Sequence, residues 1–235
     1  PTGEGLRLEH GPWPAQAVLP AGPAAAAPAL TQLPDWVRTP APAVQQGPRP
    51  VSPSDLGGPK ALSAEGPALS EAEAMRRGTL LHLLLEHLPG RPEDDWPGLA
   101  ATITAGDPAA ADLLAEAGAV LSAPGLAPLF GPGSLAEVPI AAPWREHLIL
   151  GTIDRLVIDR DRILAVDYKS NALLPEGPEQ VPEGLLRQMG AYAHALGQIW
   201  PDRRIETAIL WTRSARLMLL PQDLVVAALE RSSPP

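Results

Sequence analysis

The chain has 235 residues, no cysteine, and a formal net charge of −9 from 18 basic and 27 acidic side chains. The lack of cysteine excludes disulfide bonds and a four-cysteine iron–sulfur cluster. No apolar run reaches the roughly 18 residues of a membrane span, and no secretory signal pattern is present. The acidic balance argues against a protein that grips nucleic acid through a broadly basic surface.

Residues 1–50 are rich in proline and alanine, with Pro23-Ala-Ala-Ala-Ala-Pro28 in the middle. Such a segment buries little apolar surface, so it predicts an extended arm or linker. Residues 51–235 are long enough for one folded domain. Because Pro1 is not an initiator residue, the chain is expected to be a fragment or a processed product, excised from a longer polypeptide.

The first strong helix signal lies at about residues 71–88. Ser70 followed by Glu73 forms a capping-box pattern, and Pro89-Gly90 predicts the end of the helix. His82 lies on one stripe of this helix. A lone histidine there is usually a core or boundary residue, although a neutral imidazole is also a common metal ligand. A further amphipathic helix is predicted at 108–121.

A β-hairpin is predicted from strands at 148–159 and 162–170, joined by a tight turn at Asp159–Arg162. A symmetric turn places Asp154 opposite Asp167, and alternation places Asp154 on the face of Leu156. Two like charges opposed at about 5 Å destabilise a sheet unless a cation lies between them or one carboxyl holds a proton. A divalent metal ion would satisfy both groups.

Lys169 lies two residues beyond Asp167 on the same predicted face. The chain has 16 Arg but only two Lys, so position 169 favours a compact ammonium group, which can stabilise negative charge that develops in a reaction. A simpler interpretation stays open. Asp154 can pair with Arg155 or Arg162 at a strand end, and Asp-x-Lys is common in exposed strands.

The remaining pattern predicts strands at 135–142, 204–211 and 215–220, a helix at 183–198, and a closing helix after Pro221. Gln188 and Tyr192 share one face of the 183–198 helix at a spacing of four residues. This order of elements predicts an α/β fold with a mixed central sheet and helices on both sides. No phosphate-binding loop pattern is present, so no ATP site is expected.

Four short motifs occur in a characteristic order: Gly78-Thr-Leu-Leu-His82, Gly151-Thr-Ile-Asp154, Asp167-Tyr-Lys169 and Gln188-x-x-x-Tyr192. In this the chain resembles the RecB-like branch of the PD-(D/E)XK nucleases, and especially the C-terminal nuclease domain of AddA-type helicase–nucleases. Ser52-Pro-Ser-Asp-Leu56 looks like the segment that opens such domains. The resemblance runs from about Val51 to about Leu220 and implies a restriction-endonuclease-like fold.

The resemblance also implies a site. His82, Asp154 and Asp167 would be side-chain metal ligands, the backbone carbonyl of Tyr168 would add a ligand, and Lys169 would position the attacking water. The residues that it implies to organise the site and meet the DNA are Gln188, Tyr192 and the strand glutamate Glu137. Oxygen ligands with one histidine favour Mg²⁺, with Mn²⁺ as a possible substitute.

The function that the resemblance implies is that of a Mg²⁺-dependent deoxyribonuclease, acting as an exonuclease or endonuclease on single strands. It would belong to a cytoplasmic bacterial helicase–nuclease that processes double-strand breaks, with DNA, an upstream helicase domain and an AddB-like subunit as partners. Two alternatives remain: a catalytically inactive scaffold with a nuclease fold, and a stand-alone exonuclease. Arg76, Arg77 and Arg187 are interpreted equally well as a basic rim for DNA or as ordinary solvated charges.

Overall fold

The computed structural model describes Val37, Pro40 and residues 47–60, 70–171 and 173–232. The chain divides into two units, residues 1–46 and 47–235. Almost all of the predicted proline-rich arm lies outside the described residues, so the fold below is that of the second unit.

In the described part of the chain, six strands and five α-helices form the second unit. They are β1 Arg49–Val51, α1 Glu71–His87, α2 Trp96–Thr104, α3 Ala110–Ser122, β2 Ser134–Trp144, β3 His147–Ile158, β4 Arg162–Lys169, α4 Glu183–Ile199, β5 Arg204–Trp211, β6 Arg216–Leu220 and α5 Gln222–Glu230. No single described helix is long and apolar enough to cross a membrane, although Ala110–Ser122 and Pro124–Phe130, taken together as a bent pair, meet that test by length and composition alone.

The strands form one mixed sheet in the order β1-β3-β4-β5-β6, with β2 on the other side of β3. The pairs β1–β3 and β4–β5 are parallel, and the rest are antiparallel. Two strands share one edge of β3, since β1 pairs with residues 147–149 and β4 with residues 155–158. Residues 150–154 of β3, called the fork below, lie between these two ladders.

Helices cover both faces of the sheet, which confirms the predicted α/β architecture. On one face α4 and α5 pack on apolar strand residues such as Leu156, Ile163 and Ile209. On the other face α1, α2 and α3 pack on Val157, Val166 and neighbouring residues. Burial of these two apolar layers is the main force that holds the helices to the sheet.

Helix α1 begins with the predicted capping box. The Ser70 hydroxyl accepts a hydrogen bond from the Glu73 N–H (3.3 Å), and the Glu73 carboxylate accepts one from the Ser70 N–H (3.0 Å). These two bonds satisfy backbone donors that the first turn leaves free, so they fix where the helix starts.

Two glycines allow close approaches that bring the site together. A Cβ on Gly190 of α4 would clash with the Val225 carbonyl oxygen and lie 2.8 Å from Leu229 Cβ of α5. A Cβ on Gly151 in the fork would lie 2.7 Å from Pro53 Cδ. Glycine therefore allows α4 to pack directly on α5 and lets the turn after β1 lie against the fork.

The alternation of faces along β3 is interrupted at Asp154, contrary to the prediction. Ile153 and Leu156 pack in the same apolar cluster although they are three residues apart. Opposite Asp154 on β2 lies Glu137, whose φ of 48° is left-handed. The paired register passes from Ala136 opposite Arg155 to Val138 opposite Ile153, so the regular pleat is interrupted at Glu137 and Asp154. As a result, Asp154 does not simply share the face of Leu156 but reaches α1.

Candidate active site

The site lies where β3 and β4 stop pairing. The hairpin has the predicted register, with Ile158 opposite Ile163, and the ladder continues to Arg155 opposite Val166. The next position would oppose Asp154 and Asp167. Both carboxylates are buried, with relative exposures of 8% and 2%.

Asp154 joins β4 to helix α1. Its Oδ2 accepts a hydrogen bond from the backbone N–H of Tyr168 over 2.6 Å. Its Oδ1 lies 3.4 Å from His82 Nδ1. The His82 ring stands edge-on to the Tyr168 ring, with 5.4 Å between their centroids. The backbone of Tyr168 thus enters the site through its N–H group, and the ligand role of its carbonyl stays a prediction.

Three side chains offer converging metal-ligand atoms: His82, Glu137 and Asp154. One donor atom from each lies within 4.8 Å of the others. A set of two carboxylates and one imidazole fits Mg²⁺ or Mn²⁺ by its chemistry. Glu137 is therefore placed as a possible metal ligand and is not simply a solvated residue of an edge strand.

Asp167 is held by two other groups. Lys169 Nζ forms an ion pair with its Oδ2, and Gln188 Nε2 donates a hydrogen bond to its Oδ1 over 2.6 Å. The side chain of Asp167 therefore has a fixed orientation beside Asp154. The structure brings the predicted acids and lysine together in one buried patch.

Gln188 and Tyr192 of α4 lie beside the fork, and Tyr192 is bonded to it. Gln188 Nε2 also contacts the Tyr192 hydroxyl oxygen at 3.0 Å, and that hydroxyl donates to the Thr152 carbonyl over 2.7 Å. The tyrosine thus satisfies a strand carbonyl in the stretch between the two ladders. Helix α4 therefore supports two parts of the site. Tyr192 bonds the strand that carries Asp154, and Gln188 bonds the carboxylate of Asp167.

Burial and mutual repulsion act on the acids of the site. Burial raises the pKa of Asp167 above its ordinary value, and the charge of Asp154 adds to this, against the opposing effect of Lys169. Burial likewise raises the pKa of Glu137, with a contribution from Asp154. Ionised carboxylates in this patch are therefore short of positive charge, a condition that a bound cation would relieve.

Burial has the opposite effect on the two basic groups, but neighbouring carboxylates outweigh it. Burial alone would lower the pKa of Lys169, but the charges of Asp167 and Asp154 outweigh it and raise that pKa. Burial also opposes the charged form of His82, and the hydrogen bond and charge of Asp154 raise its pKa overall. The ammonium of Lys169 is thus kept charged inside the protein.

The sequence interpretation missed the role of Arg155, which lies behind the site. Its Nε donates to the Tyr168 hydroxyl (3.0 Å) and its Nη2 to the Leu85 carbonyl (2.7 Å), while the guanidinium lies 5.0 Å from the Phe130 ring centroid. Arg155 therefore ties α1 to β4 through Leu85 and Tyr168. The available signal was an arginine in the middle of a strand with apolar neighbours.

The three arginines considered as a basic rim all have acidic partners. Arg76 forms an ion pair with Asp107, and Arg77 Nη2 lies 2.6 Å from a Glu116 oxygen. Arg187 Nε lies 3.4 Å from Glu183. These pairs favour ordinary helix charges over a free cationic surface.

Comparison with known proteins agrees with this geometry. Residues 59–221 match the model of a family described as the PD-(D/E)XK nuclease superfamily. No curated protein matches the chain. Among solved structures, one titled "Crystal structure of SSO0001" matches with 15% sequence identity, covers 69% of this chain and 90% of its own, and has a TM-score of 0.30.

Proposed function

This chain belongs to the PD-(D/E)XK nuclease superfamily, and on that premise we propose that it hydrolyses phosphodiester bonds in DNA with a divalent metal ion. The observation that carries this proposal is the convergence of His82, Glu137 and Asp154 beside the buried Asp167, which forms an ion pair with Lys169. A patch with this excess of carboxylate is costly to bury without a cation. Its donor set matches the ions that such chemistry uses.

His82, Asp154 and Glu137 would hold the metal ion, with Asp167 as a further ligand. When bound, the ion would act as a Lewis acid toward the scissile phosphate and favour ionisation of the attacking water. Nδ1 of the His82 imidazole faces Asp154. Asp154 and Asp167 are buried, which would strengthen their electrostatic effect on a bound ion.

Lys169 would stabilise the negative charge that develops on the phosphate as water attacks in line and the bond to the leaving oxygen breaks. Its ion pair with Asp167 keeps the ammonium charged and directed into the site. Gln188 would keep Asp167 in the orientation that this requires. The chain's own contribution is thus the fixed position of two carboxylates and one ammonium group.

The finer proposal is an AddA-type domain that trims single strands unwound by a helicase during repair of double-strand breaks in the bacterial cytoplasm. Support comes from the order of the four motifs and from the electrostatics. The net charge is −9, and Arg76, Arg77 and Arg187 already have acidic partners. The main hold on DNA would then come from an upstream helicase domain and an AddB-like subunit.

A scaffold without activity is the second candidate, favoured by the same acidic balance. The two neighbouring buried carboxylates of Asp154 and Asp167 argue against it, because a scaffold has no need of buried like charges. A stand-alone exonuclease would share the site but would need its own DNA-binding surface.

The test is cleavage of end-labelled single-stranded and duplex DNA with Mg²⁺ or Mn²⁺, with EDTA as the metal-free control. Asp167→Ala and Lys169→Ala should abolish cleavage and retain the fold by circular dichroism. Asp202→Ala removes an exposed carboxylate far from the site in the fold and is the matched control. Full activity of either site variant would refute the proposal.

If the wild-type chain does not cut, calorimetry with Mn²⁺ separates the candidates. Binding that is lost in Asp167→Ala supports a nuclease that needs a helicase to deliver DNA. No binding by the wild type supports the scaffold.

A further inference from the structure

A buried carboxylate on α3, outside the proposed metal site, connects the two halves of that site. Glu116 has a side-chain exposure of 7%. Its Oε2 accepts a hydrogen bond from Arg77 Nη2 over 2.6 Å, and its Oε1 accepts one from the Thr212 hydroxyl, also over 2.6 Å. Both oxygens are therefore engaged in short, charge-assisted bonds.

Each partner of Glu116 is attached to a different part of the site. Arg77 lies on α1, five residues before His82. Thr212 directly follows β5, whose last residue, Trp211, pairs with Lys169 of β4. The Thr212 hydroxyl oxygen also lies 3.3 Å from the Lys169 carbonyl oxygen. Glu116 thus joins the helix that carries His82 to the strand ends beside Lys169.

Stability alone is a poor reason for this arrangement. A buried ion pair adds little free energy over well-packed apolar side chains, because both charges lose their hydration. What such a network does supply is a single, stiff geometry, since each polar atom must keep its partner. The distance between α1 and the end of β4 is the quantity that this network restrains.

We propose that Glu116 and Thr212 are positioning residues that set the placement of His82 relative to Lys169. This inference rests on the proposed function, because it treats the two as parts of one reaction site. The network acts through Arg77 on α1 and through the Lys169 backbone on β4. Neither Glu116 nor Thr212 is expected to touch DNA or metal.

Three substitutions distinguish a role in positioning His82 relative to Lys169 from a role in the stability of the fold alone. Thr212→Val keeps the shape of the side chain and removes the hydroxyl, whereas Thr212→Ser keeps the hydroxyl. Glu116→Gln leaves one acceptor oxygen and turns an amide N–H₂ toward one of the two donors. Thr104→Val is the matched control, because Thr104 is also buried and donates to the Ala100 carbonyl over 2.8 Å, but within α2.

The first readout needs neither metal nor DNA. The ring protons of His82 lie in the ring-current field of Tyr168, 5.4 Å away, so their NMR shifts report the spacing of α1 and β4. Those resonances, assigned by comparison with His82→Ala, should move in Thr212→Val and Glu116→Gln. They should stay in place in Thr212→Ser and Thr104→Val.

The second readout is Mn²⁺ affinity by calorimetry together with cleavage kinetics on single-stranded DNA. Loss of an outer partner of a metal site lowers affinity or kcat by roughly 10- to 100-fold. We expect a loss in that range in Thr212→Val and Glu116→Gln with little change in KM, recovery in Thr212→Ser, and wild-type values in Thr104→Val.

Variants of Glu116 and Thr212 that match Thr104→Val in both readouts would overturn the inference, as would shifted His82 resonances with unchanged metal affinity and kcat. A wild-type chain that neither binds Mn²⁺ nor cuts DNA is a failure of the proposed function. In that case the NMR readout alone tests the positioning role. His82 resonances that stay in place in Thr212→Val and Glu116→Gln overturn this role, whereas resonances that move support it.

Discussion

The carboxylate of Asp154 accepts the backbone N–H of Tyr168 at the point where β3 and β4 part, over 2.6 Å. A side chain here takes the place of the strand carbonyl that would otherwise continue the ladder. The same carboxylate faces His82 with its other oxygen. The geometry of the sheet and that of the proposed metal site therefore depend on one residue.

We expect Asp154→Asn to separate these two roles. The asparagine oxygen can still accept the Tyr168 N–H, so the fold should persist, but the loss of charge should lower Mn²⁺ affinity by more than roughly tenfold. Isothermal titration calorimetry with Mn²⁺ measures this, with the exposed Asp202→Asn as a control. Wild-type affinity in Asp154→Asn would remove this residue from the proposed ligand set.

Tyr192→Phe tests the support of the fork by α4. The substitution removes the hydroxyl that donates to the Thr152 carbonyl and meets Gln188. Loss of a hydrogen bond to this partly exposed carbonyl costs about 0.5–1.5 kcal/mol. Urea unfolding should show a loss of this size, and cleavage should slow because Gln188 orients Asp167. An unfolding midpoint equal to that of the wild type would mean that another group satisfies Thr152.

Gly190→Ala should destabilise the protein, although alanine favours helices. Its Cβ would clash with the Val225 carbonyl oxygen of α5, and overpacking of this kind costs about 1–3 kcal/mol. Gly197→Ala in the same helix has open space around it and should be neutral or stabilising by up to about 1 kcal/mol. The melting temperatures of Gly190→Ala and Gly197→Ala, measured by thermal unfolding, test this prediction. Equal melting temperatures would contradict the close packing of α4 on α5.

Glu183 predicts a pH-dependent part of the stability. Its hydrogen bonds to Arg231, together with Arg187, lower its pKa in the folded protein below the ordinary value of 4.5. Because the folded value is the lower one, the stabilisation is complete well above pH 4.5 and is lost as the pH falls through the folded pKa.

The stability difference between the wild type and Glu183→Gln, measured by urea unfolding, should therefore shrink from pH 7 toward pH 3. A difference that stays constant over this range would show that the carboxylate charge of Glu183 contributes nothing. The side chain is partly exposed, so added salt should also reduce the difference.

Local signals made much of the fold predictable. The Asp159–Arg162 turn determines the hairpin register, and this register brings Asp154 and Asp167 together. The capping box at Ser70 and Glu73 marks the start of α1. Such features depend on residues close in sequence, for which turn chemistry and periodicity are strong physical constraints.

The parts that escaped prediction depend on distant residues or on an unusual backbone conformation. Glu116 meets Arg77 across 39 positions and Thr212 across 96. Arg155 reaches Leu85 across 70 positions. Glu137, which lies opposite Asp154, has a left-handed φ, although this conformation is typical of glycine or asparagine and a glutamate does not predict it. No local pattern reports such contacts, because tertiary packing alone creates them.

The fork has a consequence for how far this protein can be stabilised. A variant that extended the β3–β4 ladder through residues 150–154 would gain regular strand pairing. It would also close the opening in which Asp154, Asp167 and the Tyr192 hydroxyl meet. Selection for thermal resistance alone would therefore favour an unbroken sheet in this stretch, at the expense of the proposed site.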